Sequence, residues 1–380
     1  MDRRKFLESS GSALLSAYFL SACRSLPPKS SAGPRAFVFL ESIQGESTAR
    51  IVDLKTLEHK DVQIPVINPH SAQRIQTGEY EFIVFDFMGT AVRANFLTGQ
   101  VLKASAGTGV FMGHGVQTHS GELIWCTELS PEEGIRVRAR RTSDLSLVGD
   151  STGEFPGGHH VTRLPGSSIL ASGWFNLQER SSNVRFFDHA SGKSSVTKLP
   201  DHITVSHLLP YSPTEVIGIS NVLLAPGEKT KNWNKSPLVR STYATVKGLA
   251  SESASRGQLD LDPGAPAPLV YANLNGESRL FWPQEEAEKF RYGFSIDVVP
   301  GSPGQFVTCH TLSHNVVLWS GTQVNQYISV PSPKGAVAAP DGKKLVILTQ
   351  GVLKLWSIPE KKFVDEIRFE RPVSTLSRYS

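Results

Sequence analysis

Four histidines recur along the chain at nearly equal intervals. His70, His114, His159 and His207 are spaced 44, 45 and 48 residues apart, and each stands at the head of a short apolar segment. The ring nitrogens of neutral histidine are common ligands for iron, copper, zinc and nickel. If the apolar segments lie side by side, the four imidazoles converge at one end of them. The spacing therefore predicts a metal site, with iron or copper as the expected ion.

The same histidines have a structural interpretation, which stays open at this point. A Gly-His pair ahead of a strand also serves as a scaffold feature in repeat proteins, and water commonly satisfies polar groups at such positions. In the metal-site interpretation, His160, Glu128 and Lys334 are expected nearby as supporting groups. His310 and His314 flank a strand end and are predicted to lie at the surface.

Charge and cysteine usage exclude several classes of protein. The net charge is +4, without a basic stripe, which argues against a nucleic-acid partner. Cys126 and Cys309 lie in apolar runs and are predicted to be buried small side chains, with a single disulfide as the alternative. No Cys-x-x-Cys or His-Glu-x-x-His is present. These features favour a protein without catalytic activity.

A repeated unit of about 40 to 50 residues organises most of the chain. Each histidine segment is followed by a turn, an alternating strand and a last short strand, and alternation indicates strands. Four short antiparallel strands per unit are typical of a propeller blade. The sequence predicts an all-β, seven-bladed β-propeller over residues 35–380, with a surface-loop insertion over 221–268 in the fifth blade. The first unit lacks an opening strand, which residues 373–376 would supply, closing the ring.

The N-terminus predicts export and lipid anchoring. Arg3 and Arg4 precede a short apolar run, a pattern that resembles the twin-arginine signal. The run ends at Cys23 in a sequence that resembles a lipobox, so residues 1–22 are predicted to be removed and Cys23 to be acylated. Arg24 follows, which favours the outer membrane, and residues 23–34 are predicted to form a tether. The expected location is the periplasmic side of the cell envelope.

The repeats resemble known propeller families. Residues 335–348, with their Pro-Asp-Gly turn, resemble WD-type and surface-layer-type repeats. Segments 111–116, 153–159, 206–208 and 259–262 resemble an uncharacterised bacterial family, domain of unknown function fifteen-thirteen. That resemblance implies an exported propeller. Because some members of the family lie beside genes for iron acquisition, it also implies a link to metal handling.

Two main functions follow from these observations. The first is a lipid-anchored binding or scaffold module that has an unknown protein partner or small ligand and is linked to iron or other metal handling. The second is a metal-dependent, oxidoreductase-like enzyme that uses the four histidines. A sugar- or lactone-processing propeller ranks third, because fold alone does not select a reaction.

Overall fold

The computed structural model describes most of the repeat region and none of the N-terminal segment. The described residues are 35–40, 46–75, 80–104, 109–130, 134–148, 155–176, 181–223, 261–262, 264–371 and 373–378. The predicted signal, Cys23 and the tether lie outside these residues, as do residues 224–260 of the predicted insertion. No helix in the described part of the chain is long and apolar enough to cross a membrane.

The described residues form short antiparallel strands, which confirms the all-β prediction. We group the strands as sheets A to G in chain order. Sheet A comprises β1 (Arg35–Leu40), β2 (Ser47–Asp53), β3 (His59–Ile64) and the C-terminal strand β29 (Val373–Arg378). Sheet B comprises β4 (Pro69–Arg74), β5 (Glu81–Gly89), β6 (Ala91–Asn95) and β7 (Val101–Ala104). Sheet C comprises β8 (Val110–Gln117), β9 (Leu123–Ser130), β10 (Gly134–Arg141) and β11 (Phe155–Pro156).

The remaining strands repeat the same arrangement. Sheet D comprises β12 (Val161–Arg163), β13 (Ile169–Asn176), β14 (Ser181–Asp188) and β15 (Lys193–Lys198). Sheet E comprises β16 (Ile203–Ser212), β17 (Glu215–Leu223), β18 (Leu261–Asp262), β19 (Leu269–Asn273) and β20 (Ser278–Phe281). Sheet F comprises β21 (Gly293–Val298), β22 (Gln305–His310), β23 (Asn315–Ser320) and β24 (Gln323–Ser329). Sheet G comprises β25 (Gly335–Ala338), β26 (Lys344–Leu348), β27 (Val352–Ser357) and β28 (Lys362–Arg368). A short 3-10 helix, Gln284–Lys289, precedes sheet F.

Two pairings depart from simple hairpins. The end of β5 also pairs with β8, through Phe87 opposite Met112, and so joins sheets B and C. The C-terminal strand β29 pairs antiparallel with β1, with Ala36 opposite Arg378 at one end and Leu40 opposite Val373 at the other. The two ends of the described chain therefore lie in one sheet.

The apolar core is divided among the interfaces between successive sheets. Alternate residues of a strand face opposite sides of its sheet, so each sheet can bury both faces against two neighbours. Phe37 and Phe82 pack between sheets A and B, and Phe186 and Val216 pack between sheets D and E. The last sheet packs on the first, where Val38, Val346 and Val373 share one cluster.

The first strands of the sheets also contact one another. β4 contacts β8, β8 contacts β12, β12 contacts β16, and the series continues through β21, β25 and β29. β29 in turn contacts β4, so the contacts follow chain order and return to their start. This arrangement brings the heads of the histidine-bearing strands close together.

Both cysteines within the described residues are free thiols in the core, which confirms their prediction as buried side chains. Burial raises the pKa of the Cys309 thiol to about 12 and also raises that of Cys126. The alternative of a disulfide between them is wrong, because each lies in the apolar packing of a different sheet interface.

Candidate metal centre

Local irregularities in the first strands place the four histidines. In β4 the ladder runs from Pro69 to Ser71 and skips His70, which occupies a bulge. The ladder of β8 is also interrupted around His114, and that of β16 shifts immediately before His207. His159 lies in the segment leading into β12. A bulge redirects the side chain it carries, which applies to His70 and His114, whereas His207 pairs with Ile219 directly after the shift in its strand.

The structure brings all four predicted ligands together. One ligand nitrogen from each of His70, His114, His159 and His207 lies within 4.8 Å of the others. The Nε2 atom of His159 is 3.0 Å from Nε2 of His70 and 3.2 Å from Nε2 of His114. These short contacts join histidines of different sheets, whereas the scaffold interpretation expects each imidazole to bond within its own repeat.

The glycine before His114 makes room for a neighbouring imidazole. Gly113 has a positive φ of +95°, and a Cβ atom placed on it would lie 2.5 Å from Cδ2 of His70. No side chain larger than hydrogen fits there without moving the ring. Gly113 of sheet C therefore leaves space for the His70 ring of sheet B, besides preceding His114 in its own strand.

Hydrogen bonds fix the backbone that carries the ligands. The hydroxyl of Thr127 lies 3.2 Å from the His114 carbonyl and 3.1 Å from the His159 carbonyl and can donate to either. The carboxylate of Asp86 accepts the backbone N–H of Asn68 at 2.9 Å, two residues before His70. These buried polar residues hold the histidine segments at defined positions, as supporting groups do around metal ligands.

An aromatic side chain closes one side of the cluster. The ring of Phe87 lies 5.2 Å from that of His70 and 5.3 Å from that of His159. Phe87 has no distinguishing pattern in the sequence, because it follows the apolar run of β5 and lies where the end of that strand makes the extra pairing between sheets B and C. No local signal in the sequence indicates that pairing.

Burial keeps the imidazoles neutral. Desolvation lowers the pKa of His70 to about 4 and lowers the pKa values of His114, His159 and His207 well below their usual range. Nearby histidines lower the last three further. At neutral pH each ring therefore offers a lone pair, as metal binding requires. Nδ1 of His207 is buried and has no hydrogen-bond partner among the described residues.

The three expected supporting groups differ in their contacts. His160 adjoins the cluster, with its ring 4.5 Å from that of His114, and its Nδ1 accepts the Leu208 N–H at 3.3 Å. Glu128 is engaged in a buried ion pair with Arg140 at 2.6 Å. Lys334 donates from Nζ to the Val373 carbonyl at 3.0 Å.

The prediction for His310 is wrong, whereas that for His314 is confirmed. His314 is exposed. His310 is only 1% exposed, because Phe290 after the 3-10 helix packs over it at 5.1 Å. Its Nε2 is 2.9 Å from the Thr308 hydroxyl, and burial lowers the pKa of His310 to about 3.

A Gly-x-Ser-x-Gly pattern at residues 149–153 lies outside the described residues.

Comparison with solved structures supports a propeller-like fold. Hydrazine synthase of Kuenenia stuttgartiensis aligns with a TM-score of 0.56 and 11% identity, over 90% of this chain and 98% of that chain. Dihydro-heme d1 dehydrogenase NirN in complex with DHE aligns with a TM-score of 0.51 and 11% identity, over 92% of this chain and 76% of that chain. No protein-family model and no curated protein matches the sequence. At this identity the likeness shows the fold alone: the chain is similar to propeller-type all-β proteins.

Proposed function

We propose that this protein binds one transition-metal ion at the cluster formed by His70, His114, His159 and His207 and serves in metal handling as a binding protein of the cell envelope. The observation that carries the proposal is the convergence of four imidazole nitrogens within 4.8 Å. Neutral imidazoles suit copper, iron, zinc and nickel, and copper(II) has the highest expected affinity. The order of affinities therefore favours copper, and iron is the alternative that the family resemblance implies.

The nitrogen spacing is suited to a metal. With metal–nitrogen bonds of about 2.0–2.1 Å, two adjacent ligands lie about 2.9 Å apart at a right angle and about 3.3 Å apart in a tetrahedron. The observed separations of 3.0 and 3.2 Å fall in this interval. Since the rings are neutral, they do not repel one another as charged groups would. A cation would bind the nitrogen lone pairs of these buried rings.

The site belongs, in this proposal, to a closed propeller of seven blades. The cyclic contacts of the first strands and the shared core of sheets A and G support closure. The pairing of β29 with β1 also supports it, because a closed ring leaves no long unpaired strand edge at the junction. Four successive blades would then each contribute one histidine of the cluster near the axis.

The envelope location rests on the N-terminal sequence. We propose that Cys23 is acylated and anchors the domain on the periplasmic side, at the outer membrane, and that the chain belongs to the family of domain of unknown function fifteen-thirteen. Replacing Cys23 by Ser should abolish incorporation of labelled palmitate and release the protein from washed membranes. Continued labelling of the Cys23→Ser protein would contradict acylation at Cys23 and would not affect the proposal of a metal site.

Metal analysis of the purified full chain tests the main proposal. After supplementation with copper or iron, we expect about one ion per chain, and below about 0.1 ion per chain in a His114→Ala/His159→Ala variant. A His59→Ala/His119→Ala variant is the matched control, because both of these histidines are exposed. Equal metal content in the two double variants would refute the site, provided that both have the circular dichroism spectrum of the unmodified protein.

A further inference from the structure

The four histidines are not equivalent. The rings of His70, His114 and His159 lie 4.6–4.9 Å apart, and their Nε2 atoms make the two short contacts. The ring of His207 lies 4.9 Å from that of His114 but farther from the other two, at 6.1 Å from His70 and 5.2 Å from His159. The cluster thus consists of a tight triad, His70–His114–His159, and a fourth ring set to one side.

The spread of the four nitrogens exceeds what one ion can span. With bonds of about 2.05 Å, the largest ligand separation is about 3.3 Å in a tetrahedron and about 4.1 Å across a square. The ligand atoms here spread over distances of up to 4.8 Å. An ion at full bonding distance from three of the histidines is therefore left with an incomplete bond to the fourth, and His207 is assigned as the fourth because its ring has the largest separation within the cluster, 6.1 Å from that of His70. Three protein ligands and an open position are the usual arrangement where a metal exchanges a small ligand.

The space beside the triad contains hydrogen-bonding groups. The Nδ1 atom of His160 accepts the Leu208 N–H, so in the neutral ring the proton is on Nε2, which makes that nitrogen a donor. The ring of His160 lies 4.5 Å from that of His114 and 5.4 Å from that of His207. His207 has a buried Nδ1 without a partner among the described residues. A ligand atom on the metal could accept hydrogen bonds from this side.

The opposite side of the triad is apolar and closed. Phe87 packs against both His70 and His159 and offers no polar atom. Rings separated by only 4.5–6.1 Å are packed against one another, so only a small ligand can be accommodated beside them. His70, His159 and His207 nevertheless keep partial exposure, so a small molecule can reach them. The occupant is thus limited in size and must accept hydrogen bonds.

We propose that the ion is held by His70, His114 and His159 and keeps an exchangeable position, facing His207 and His160, for a small anionic ligand. The ligand class is a monodentate anion or diatomic molecule that donates a lone pair to the metal and accepts a hydrogen bond from the histidine side. This inference rests on the proposed metal centre and adds that the centre is open.

Azide titration of the copper-loaded full chain tests the proposal. We expect an azide-to-copper charge-transfer absorption that saturates at one azide per copper, with a matching change in the copper electron paramagnetic resonance spectrum. His160→Phe should retain copper and weaken azide binding about tenfold or more, because a hydrogen bond to a charged ligand is lost. His207→Ala should also retain copper. His119→Ala, at an exposed position of sheet C, should change neither property.

The outcomes separate the two proposals. Failure to bind either copper or iron at one ion per chain would overturn the metal centre itself. Copper binding without any azide response, or loss of copper from His207→Ala, would overturn only the open position, since the site would then be a closed four-histidine site. Unchanged azide affinity in His160→Phe would remove the hydrogen-bonding role of His160 and, with it, the proposed direction of the open position.

Discussion

Replacing Gly113 by alanine should damage the metal site through a neighbour's imidazole. The new Cβ would lie 2.5 Å from Cδ2 and 2.9 Å from Cγ of His70. Ordinary contact requires about 3.5 Å, so the ring must retreat by about 1 Å. Metal–ligand bonds tolerate changes of only about 0.2 Å. The variant is expected to lose His70 as a ligand and to bind copper 10- to 100-fold more weakly, as for other defects in ligand positioning.

The positive φ of Gly113 adds a separate cost in stability, which a matched variant isolates. An alanine with left-handed backbone costs about 1–2 kcal/mol. Gly192 has a φ of +71°, and a Cβ there would meet no atom within 4 Å. Gly192→Ala should therefore show a similar decrease in the free energy of unfolding and unchanged copper affinity.

Two measurements on each variant decide the matter. Urea denaturation of the metal-free chains gives the free energy of unfolding, and competition with a copper chelator gives the affinity. If Gly113→Ala binds copper as tightly as Gly192→Ala, then His70 does not hold the ion, and the link between Gly113 and the site is refuted. A selective loss in Gly113→Ala, at equal stability, would support the geometry described above.

Three further predictions concern the fold. Because the pKa of His310 is lowered from 6.5 to about 3 in the folded protein, protonation favours the unfolded chain below pH 6.5. As the pH falls from 6 to 4, this histidine should therefore cost the unmodified protein about 1.4 kcal/mol of stability per pH unit. We expect His310→Phe to lack this contribution in urea titrations. Arg140→Met should cost about 3–5 kcal/mol in the same assay, because it leaves the buried Glu128 with only the longer 3.9 Å contact to Arg138, and adding Glu128→Gln should recover most of that loss. Deleting residues 372–380 removes β29 and the buried Val373 and should lower the thermal midpoint sharply.

Each of these has a clear contrary result. Parallel pH profiles for His310→Phe and the unmodified protein would mean that His310 reaches water in the folded state. A stable Arg140→Met variant would mean that Arg138, 3.9 Å from Glu128, replaces the lost partner. A truncated chain with an unchanged midpoint would show that β29 contributes little, and the closure proposed for the ring would lose its main support.

The convergence of the four histidines could be predicted because it depends on periodicity. Equal spacing along the chain places equivalent residues at equivalent positions of repeated units, whatever the details of each strand. The same reasoning recovered the all-β fold, because strand alternation is a local property of the sequence. Burial of Cys126 and Cys309 was likewise predictable from the apolar residues beside them.

The features that depend on contacts between units were not predictable in this way. His310 ends β22, a position that is usually exposed. It is buried because Phe290, which lies just before β21, packs over it. Phe87 reaches the cluster through a pairing between two sheets. Neither contact is indicated by the sequence of the neighbouring residues, so it is seen only in the folded structure.

The proposed metal site and the proposed ring are coupled, since each of its histidines comes from a different sheet. The positions of His70 and His159 relative to each other depend on the packing of sheets B, C and D, and the Gly113 backbone lies against the His70 ring. Any ion bound to these residues stabilises the native arrangement over the unfolded chain by RT ln(1 + [M]/Kd), about 4 kcal/mol at a thousandfold excess over Kd. Slippage of one sheet by a single residue would turn its histidine to the other face and leave the triad incomplete. The bulges that carry His70 and His114 therefore set both the register of their sheets and the geometry of the site.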